Sequence, residues 1–187
     1  MRRGSRGKHS QPPAACLSGG LKLRPLQLHQ VWEACTRDEG VRILAIHAGV
    51  IPPLLKLCIL PKRGLFPVNM SGLSQADQCT EAALGALACI SMEEDACAEM
   101  VENGAVPLMV GMLGHPSESI QESAAGVLTN ITSVPGYGSL VARAHAVPVF
   151  TRLLSSRSEE CREAAAGALR NIAADSDDSK ARAVMRG

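Results

Sequence analysis

Apolar residues recur with the spacing of one helix face in three copies of the same pattern. The copies read CTEAALGALACIS, QESAAGVLTNITS and CREAAAGALRNIAAD, and their glutamates, Glu81, Glu122 and Glu163, recur with a constant period of 41. The last two copies contain an asparagine, Asn130 or Asn171. The residues six, five and two positions before it and one position after it are apolar, which places them on one helical stripe. A period between about 20 and 50 residues indicates one supersecondary unit that is copied and stacked. The sequence therefore predicts an all-α solenoid.

A second motif opens each copy. GVIPPLLKL, GAVPLMVGML and HAVPVFTRLL begin at Gly49, Gly104 and His145, with a proline at the fourth position. Proline is tolerated in the first turn of a helix because the N–H that it lacks would have no partner there. The asparagine follows this proline by 23 residues in the two later copies. In the first copy Cys89 takes the asparagine position, and it follows Pro52 by 37 residues. The first copy therefore carries a 14-residue insertion.

Together the two motifs resemble the armadillo repeat over residues 42–187. The sequence Ala-Gly-Ala-Leu-Arg-Asn is most similar to the repeats of β-catenin and of vacuolar and plant ubiquitin-ligase armadillo proteins. The resemblance implies three short helices per repeat, stacked in a right-handed superhelix. It also implies that the third helices line a groove for an extended partner, and that the fold is a binding platform without chemistry of its own.

The repeats divide the chain into six segments. We predict a disordered basic tail over 1–20, a degenerate partial repeat over 21–48, armadillo repeats over 49–98, 99–140 and 141–178, and the start of a truncated further repeat over 179–187. Aligning Gly49 with Gly187 puts Ala34 at the position of Ile172. Trp32 is interpreted as a cover for the exposed end of the stack, since terminal repeats must hide their apolar face. The chain is interpreted as a fragment of a longer array, or as one whose end another molecule covers.

The insertion lies near 59–75 and is rich in Pro, Gly and Ser, which argues against a helix. It is interpreted as a recognition loop that presents Phe66 at the groove, as a tolerated surface insertion, or as an imperfectly predicted exon.

The net charge of +1 hides an uneven distribution. The segment 1–32 holds six basic and no acidic residues, whereas from Glu33 onward acidic residues outnumber basic ones by 18 to 13. A nucleic-acid surface needs basic charge to neutralise phosphates, so the acidic repeats argue against nucleic-acid binding. Acidic residues cluster where connections are predicted after the third helices, either as solvated loops or as groove edges that select a basic partner. They are Glu93, Glu94, Asp95, Asp175, Asp177 and Asp178.

Seven cysteines without paired spacing indicate a reducing compartment. We expect a cytoplasmic location, with the nucleus as an alternative; the basic start also resembles an organelle transit sequence. No apolar run approaches the ~18 residues of a membrane span. Phosphate-binding glycine loops, HExxH and GxSxG are missing, and the histidines lack ligand spacing. We predict no enzyme, no metal, no cofactor and no small-molecule substrate.

The candidate site is the exposed face of the third helices. An asparagine amide offers both a donor and an acceptor, so Asn130 and Asn171 can hold the main chain of an extended peptide, or can only bridge local backbone. Cys89 takes the same position but cannot make a bidentate contact. A glycine recurs four residues earlier, at a cost of about 1 kcal/mol in a helix, either for close helix packing or for a smooth groove floor. The predicted groove residues are Gly85, Cys89, Gly126, Asn130, Gly167, Arg170 and Asn171.

These patterns favour a scaffold or adaptor that binds an extended segment of a partner protein in the third-helix groove. Two alternatives stay open: the substrate-recognition domain of a ubiquitin ligase, and a truncated fragment without independent function. Importin-α resembles this array but carries Trp where Gly126 and Gly167 lie, which argues against a nuclear-import receptor. Glu81, Glu122 and Glu163 are interpreted as helix-start residues that favour the helix dipole.

Overall fold

The computed structural model describes residues 25–59 and 75–186, with side chains described for 27–59 and 77–176. The basic tail over 1–20, most of the insertion including Phe66, and Gly187 lie outside the described residues.

The described residues form ten α-helices and no strand, which confirms the predicted all-α solenoid. The helices are α1 (Pro25–Arg37), α2 (Glu39–His47), α3 (Ile51–Cys58), α4 (Gln75–Ile90), α5 (Glu94–Glu102), α6 (Ala105–Met112), α7 (Glu118–Ser133), α8 (Tyr137–Arg143), α9 (Ala146–Leu153) and α10 (Glu159–Arg186). The third helices α4, α7 and α10 pack side by side, and α1 packs along α4. Each third helix follows two shorter helices, so the described chain consists of one leading helix and three helix triplets.

Small and aliphatic side chains fill the space between layers, which lets thin helices stack closely. The predicted stripe on α7 is fully buried at Ala124, Ala125, Leu128 and Ile131. On α10, Ala165 and Ile172 are buried, but Ala166 is exposed and Leu169 is half-buried. This difference arises because α10 is the last helix described and packs against α7 on one side.

The second helix of each triplet begins after a residue in the left-handed region. Gly49 and Gly104 have φ values of 68° and 77°, and His145 has a φ of 60°. The prolines Pro107 and Pro148 then fall in the first turns of α6 and α9, as predicted. His145 adopts this conformation with a Cβ that glycine lacks. The opening motif therefore marks a backbone conformation as well as a helix start.

Hydrogen bonds between third helices set the register of the stack. Asn130 bonds to Ser91, and Asn171 bonds to Thr132, in each case 39 residues earlier. The thiol of Cys89 lies 3.1 Å from the Thr36 hydroxyl, 53 residues earlier. This interval exceeds the other two by the length of the insertion. Helix α1 is therefore the third-helix equivalent of the leading layer.

This register corrects the alignment of α1 by one residue. Cys35, and not Ala34, takes the position of Ile172, and Cys35 is fully buried while Ala34 is half-buried. The alignment of Gly49 with Gly187 was wrong because the interval from His145 to Gly187 is one residue longer than the interval from Gly104 to His145.

The connection predicted over Asp175–Asp178 is wrong, because α10 continues through it to Arg186. The Asp175 carboxylate accepts hydrogen bonds at 2.8 Å from the Gly136 N–H, the Ser139 N–H and the Ser139 hydroxyl. These donors lie at the start of α8, where helix N–H groups lack partners within the helix. Asp175 therefore caps α8 from the middle of α10.

Trp32, on the leading helix α1, packs onto α4. A Cβ built on Gly85 would lie 2.5 Å from two atoms of the indole ring, closer than carbon atoms approach. A Cβ built on Gly126, one repeat later, would have no atom of a neighbouring helix within 4 Å. Gly85 is thus required by the packing of Trp32, whereas Gly126 is not required by packing.

Two matched substitutions test this difference. Gly126→Ala should raise the melting temperature by about 2–4 °C, since alanine is about 1 kcal/mol better in a helix interior. Gly85→Ala should instead lower the melting temperature by several degrees, because overpacking costs about 1–3 kcal/mol. Thermal unfolding followed by circular dichroism measures both. Equal shifts in the two variants would contradict the packing of Trp32 on Gly85.

Candidate functional site

The exposed surface shared by α4, α7 and α10 is called the third-helix face here. On each helix a glutamate, a glycine and the asparagine position follow one another at intervals of four residues, so they lie on adjoining turns of one side. The residues are Glu81, Gly85 and Cys89 on α4, Glu122, Gly126 and Asn130 on α7, and Glu163, Gly167 and Asn171 on α10. The structure thus places these positions on one side of each third helix, where Gly126, Asn130 and Asn171 are half-buried and Gly85 is buried.

Asn130 is half-buried and bonds to the preceding third helix. Its amide nitrogen lies 2.9 Å from the Ser91 hydroxyl and 3.4 Å from the Ala88 carbonyl. Helix α4 ends at Ile90, and the last four carbonyls of a helix lack N–H partners within it. Asn130 therefore helps to cap α4 from the next repeat, while its side chain still reaches the surface.

Asn171 repeats this contact at longer distances. Its amide nitrogen lies 3.4 Å from the Thr132 hydroxyl and 3.5 Å from the Thr129 carbonyl. Helix α7 continues to Ser133, four residues beyond Thr129, so an intrahelical N–H can reach the Thr129 carbonyl. The carbonyl has less need of Asn171, which is held more loosely than Asn130.

Cys89 occupies the asparagine position in the first triplet. Its thiol is half-buried and lies against Thr36. A thiol is a weak donor and acceptor, so it links α4 to α1 without the strength of an amide.

The three glycines differ in their surroundings. Trp32 covers Gly85, which is buried. A Cβ on Gly167 would lie 3.2 Å from the Thr129 methyl carbon, and the Thr129 hydroxyl bonds to the Ala164 carbonyl at 2.9 Å. Gly126 is half-buried, with open space above it. Close packing thus explains the glycine in two repeats, and the open floor is centred on Gly126.

Carboxylates give the third-helix face its acidic character. Glu81 accepts a hydrogen bond of 2.6 Å from Ser119, Glu122 is half-buried, and Glu163 is exposed. Their interpretation as helix-start residues is wrong, because α7 and α10 begin four residues before Glu122 and Glu163, and α4 begins six residues before Glu81. Arg170 is exposed beside Asn171.

Two acidic residues of the predicted loop cluster have internal partners. Glu93 pairs with Arg42 at 2.9 Å, with both side chains largely buried, and Asp175 caps α8. Glu94 and Asp95 lie in the first turn of α5, and both are exposed. The side chains of Asp177 and Asp178 lie outside the described residues. Of the four members of this cluster with described side chains, only Glu94 and Asp95 are therefore exposed.

Five of the described cysteines are buried: Cys35, Cys58, Cys79, Cys97 and Cys161. Burial raises the pKa of Cys58 to about 12 and that of Cys97 to about 11, the latter with a contribution from Glu94. Both thiols are therefore protonated at neutral pH, whereas a nucleophilic cysteine reacts as the ionised thiolate. Within the described residues, no cluster of three His, Cys, Asp or Glu side chains has metal-binding geometry.

In the part of the chain that the structure describes, no single helix is long and apolar enough to cross a membrane. Helices α2 and α3 reach that length and composition only as a pair bent by 89°.

The Armadillo/beta-catenin-like repeat family matches residues 94–133 and 139–174. These two segments are similar to armadillo repeats. They correspond to the triplets α5–α6–α7 and α8–α9–α10, and the helices before them continue the same stack. No curated protein matches the chain.

Solved structures of engineered and designed proteins share this fold. An engineered protein from the Northeast Structural Genomics Consortium is 26% identical with a TM-score of 0.66, over 80% of this chain and 56% of its own. A designed armadillo repeat protein is 22% identical with a TM-score of 0.66, over 79% of this chain and 57% of its own. Another designed armadillo repeat protein, in complex with the peptide (KR)4, is 21% identical with a TM-score of 0.63. The match covers 79% of this chain and 57% of the designed protein. This chain thus spans just over half the length of these structures.

Sequence reasoning missed the partners of the asparagines. Ser91 and Thr132 are buried hydroxyls that recur at the period of the repeat, and Thr36 precedes them once the insertion is removed. This recurrence was visible in the sequence as a polar position within the apolar pattern. It marks where Asn130 and Asn171 meet the preceding layer.

The two asparagines should differ in their contribution to stability. Asn130→Ala should cost about 1 kcal/mol, because one short hydrogen bond to a buried hydroxyl is lost. Asn171→Ala should cost less, since its bonds are longer. Urea unfolding of each variant measures this difference in the free energy of unfolding. A larger loss for Asn171→Ala would contradict the interpretation that Asn130 is the better-held residue.

Proposed function

We propose that this protein is a non-enzymatic scaffold or adaptor that binds an extended segment of a partner protein along the third-helix face. The observation that carries the proposal is the row of Asn130 and Asn171 on successive third helices, with the open floor at Gly126 between the flanking side chains. Armadillo solenoids typically serve as binding scaffolds. The designed armadillo repeat protein in complex with (KR)4 supports an extended peptide as the form of the partner.

The partner segment is proposed to be basic. From Glu33 onward acidic residues outnumber basic ones by 18 to 13, and Glu122 and Glu163 stand on the proposed binding surface. Opposite charges raise association rates and favour the matching partner. The six described cysteines are all free, which supports a reducing compartment, the cytoplasm or the nucleus. The similarity to β-catenin, vacuolar and plant ubiquitin-ligase repeats stays a prediction.

Two asparagine positions support only weak binding. A peptide hydrogen bond contributes about 0.5–1.5 kcal/mol, so two asparagines with up to two bonds each contribute about 2–6 kcal/mol before the peptide is ordered. A micromolar complex needs about 8 kcal/mol. We therefore expect dissociation constants of about 100 μM or weaker for a short peptide, with the affinity falling as salt screens the charges.

A blocked groove tests the proposal. Gly126→Gln places a side chain on the open floor without a clash at its Cβ, so it should lower the affinity for (KR)4 by about 10-fold or more. Gly111→Gln is the matched control, because Gly111 is exposed on α6 and also has open space at its Cβ. NMR titration of the full chain with (KR)4, and with (DE)4 as the charge-reversed peptide, measures both affinities.

The proposal requires that wild-type protein and Gly111→Gln bind (KR)4 equally, that Gly126→Gln binds it more weakly, and that (DE)4 binds none of them. Equal binding by both variants would place the peptide elsewhere. Preferential binding of (DE)4 would contradict the proposed basic partner.

A further inference from the structure

We propose that the exposed side of α2, together with the start of α5, binds a partner protein segment in which Lys or Arg stands beside a large apolar residue. This surface is called the α2 patch. It uses none of the residues of the third-helix face, so it is a second interaction surface whose existence does not depend on the function proposed for that face. Its residues are Ile43, Leu44, Ile46, His47, Glu94 and Asp95.

Helix α2 presents two adjoining large apolar side chains to solvent. Ile43 is 38% exposed, and Leu44 is 68% exposed, more than any other large apolar side chain that the structure describes. The equivalent leucine of α8 is Leu140, five residues before His145 as Leu44 is five residues before Gly49, and Leu140 packs against the core. Leu44 has no such cover within the described residues. Adjoining exposed apolar side chains with a polar rim are typical of interaction sites.

A surface cavity of about 250 Å³ adjoins Leu44. Its apolar walls are Ile43 and Ile46, one turn apart on α2, and its polar lining comes from His47 and from the acidic start of α5. A cavity of about 150 Å³ can hold a group of the size of benzene. The cavity beside α2 is therefore large enough for one long side chain.

The carboxylates around this cavity differ in their partners. Glu93 accepts a hydrogen bond of 2.9 Å from Nε of Arg42, whose Nη1 donates to the Cys35 carbonyl at 3.2 Å. This pair joins α2 to the start of α5, and it balances the charge of Glu93. Glu94 and Asp95 are exposed, and neither forms an ion pair with a described side chain. The apolar walls are thus held next to two carboxylates whose charge is not neutralised.

Lys and Arg side chains match this combination of an apolar wall and a carboxylate rim. Both pack their alkyl stems along apolar surface while the charged head stays at the edge in water. The stem would lie against Ile43 and Ile46, the head would reach Glu94 and Asp95, and a neighbouring apolar residue of the partner would cover Leu44. The same carboxylates repel an acidic segment. Charge complementarity therefore selects a basic segment for this apolar surface.

The first experiment titrates the 15N-labelled full chain with three peptides that have blocked termini: GLKGLKG, GLEGLEG and GSKGSKG. GLKGLKG should shift the backbone amide signals of α2 and of the start of α5. GLEGLEG lacks the cation and GSKGSKG lacks the apolar residue, so both should bind about 5-fold more weakly or less. Absence of shifts on α2 and α5 with GLKGLKG, or equal affinities for the three peptides, would overturn the proposal.

Matched variants locate the bound peptide. Leu44→Ser should weaken GLKGLKG binding about 5-fold, whereas Leu154→Ser, at another exposed leucine, should leave it unchanged. Glu94→Gln should weaken binding about 2- to 5-fold through the loss of an exposed ion pair. Its control is Glu102→Gln at the other end of α5, where the side chain is also exposed. Equal effects within either pair of variants would contradict the assigned surface.

Spectra without peptide test the other possible occupants of the α2 patch. Leu44→Ser should leave the signals of residues 1–24 unchanged, and the α2 signals should not depend on protein concentration. Changes in 1–24 would assign the patch to the basic segment of this chain, and concentration dependence would assign it to a second copy. Either result would overturn the proposal. GLKGLKG should bind Gly126→Gln as well as it binds the wild type, so the two proposed surfaces can fail independently.

Discussion

The structure depends on the close stacking of its third helices. A chain in which aromatic residues make up 2% of the sequence cannot build a core on rings, so each layer must bury small and aliphatic side chains against the next. Ala124, Ala125 and Leu128 meet this requirement on α7. Close stacking also brings the end of each third helix within hydrogen-bond reach of the next one, which creates the contacts of Asn130 and Asn171.

The asparagines combine a structural contact with a place on the proposed binding surface. Sequence reasoning posed a choice between peptide binding and local bridging, and the structure shows the bridging through the amide nitrogen. Both side chains are only half-buried, so the two roles are compatible on one side chain. Holding the nitrogen inward also fixes the side chain before a partner arrives, which lowers the entropy that binding would otherwise cost.

The sequence was sufficient for the fold class, because the constant period and the opening prolines are local signals that repeat. It also identified the side of the third helices on which Gly126, Asn130 and Asn171 lie. It could not place contacts between distant residues. The cap that Asp175 provides to α8, the pair of Glu93 with Arg42, and the indole of Trp32 over Gly85 each join separate helices. The register of α1 also failed from sequence, since the interval before Gly187 is one residue longer than the repeat and was treated as a regular one.

The central claim is that an extended basic segment lies across α4, α7 and α10. The most direct measurement is paramagnetic relaxation enhancement on the 15N-labelled chain with a nitroxide-labelled (KR)4 peptide. The account predicts that signals from the surroundings of Gly126, Asn130 and Asn171 broaden, while those of α6 and α9 stay sharp. Broadening centred on α6 and α9, with the third-helix face unaffected, would contradict it.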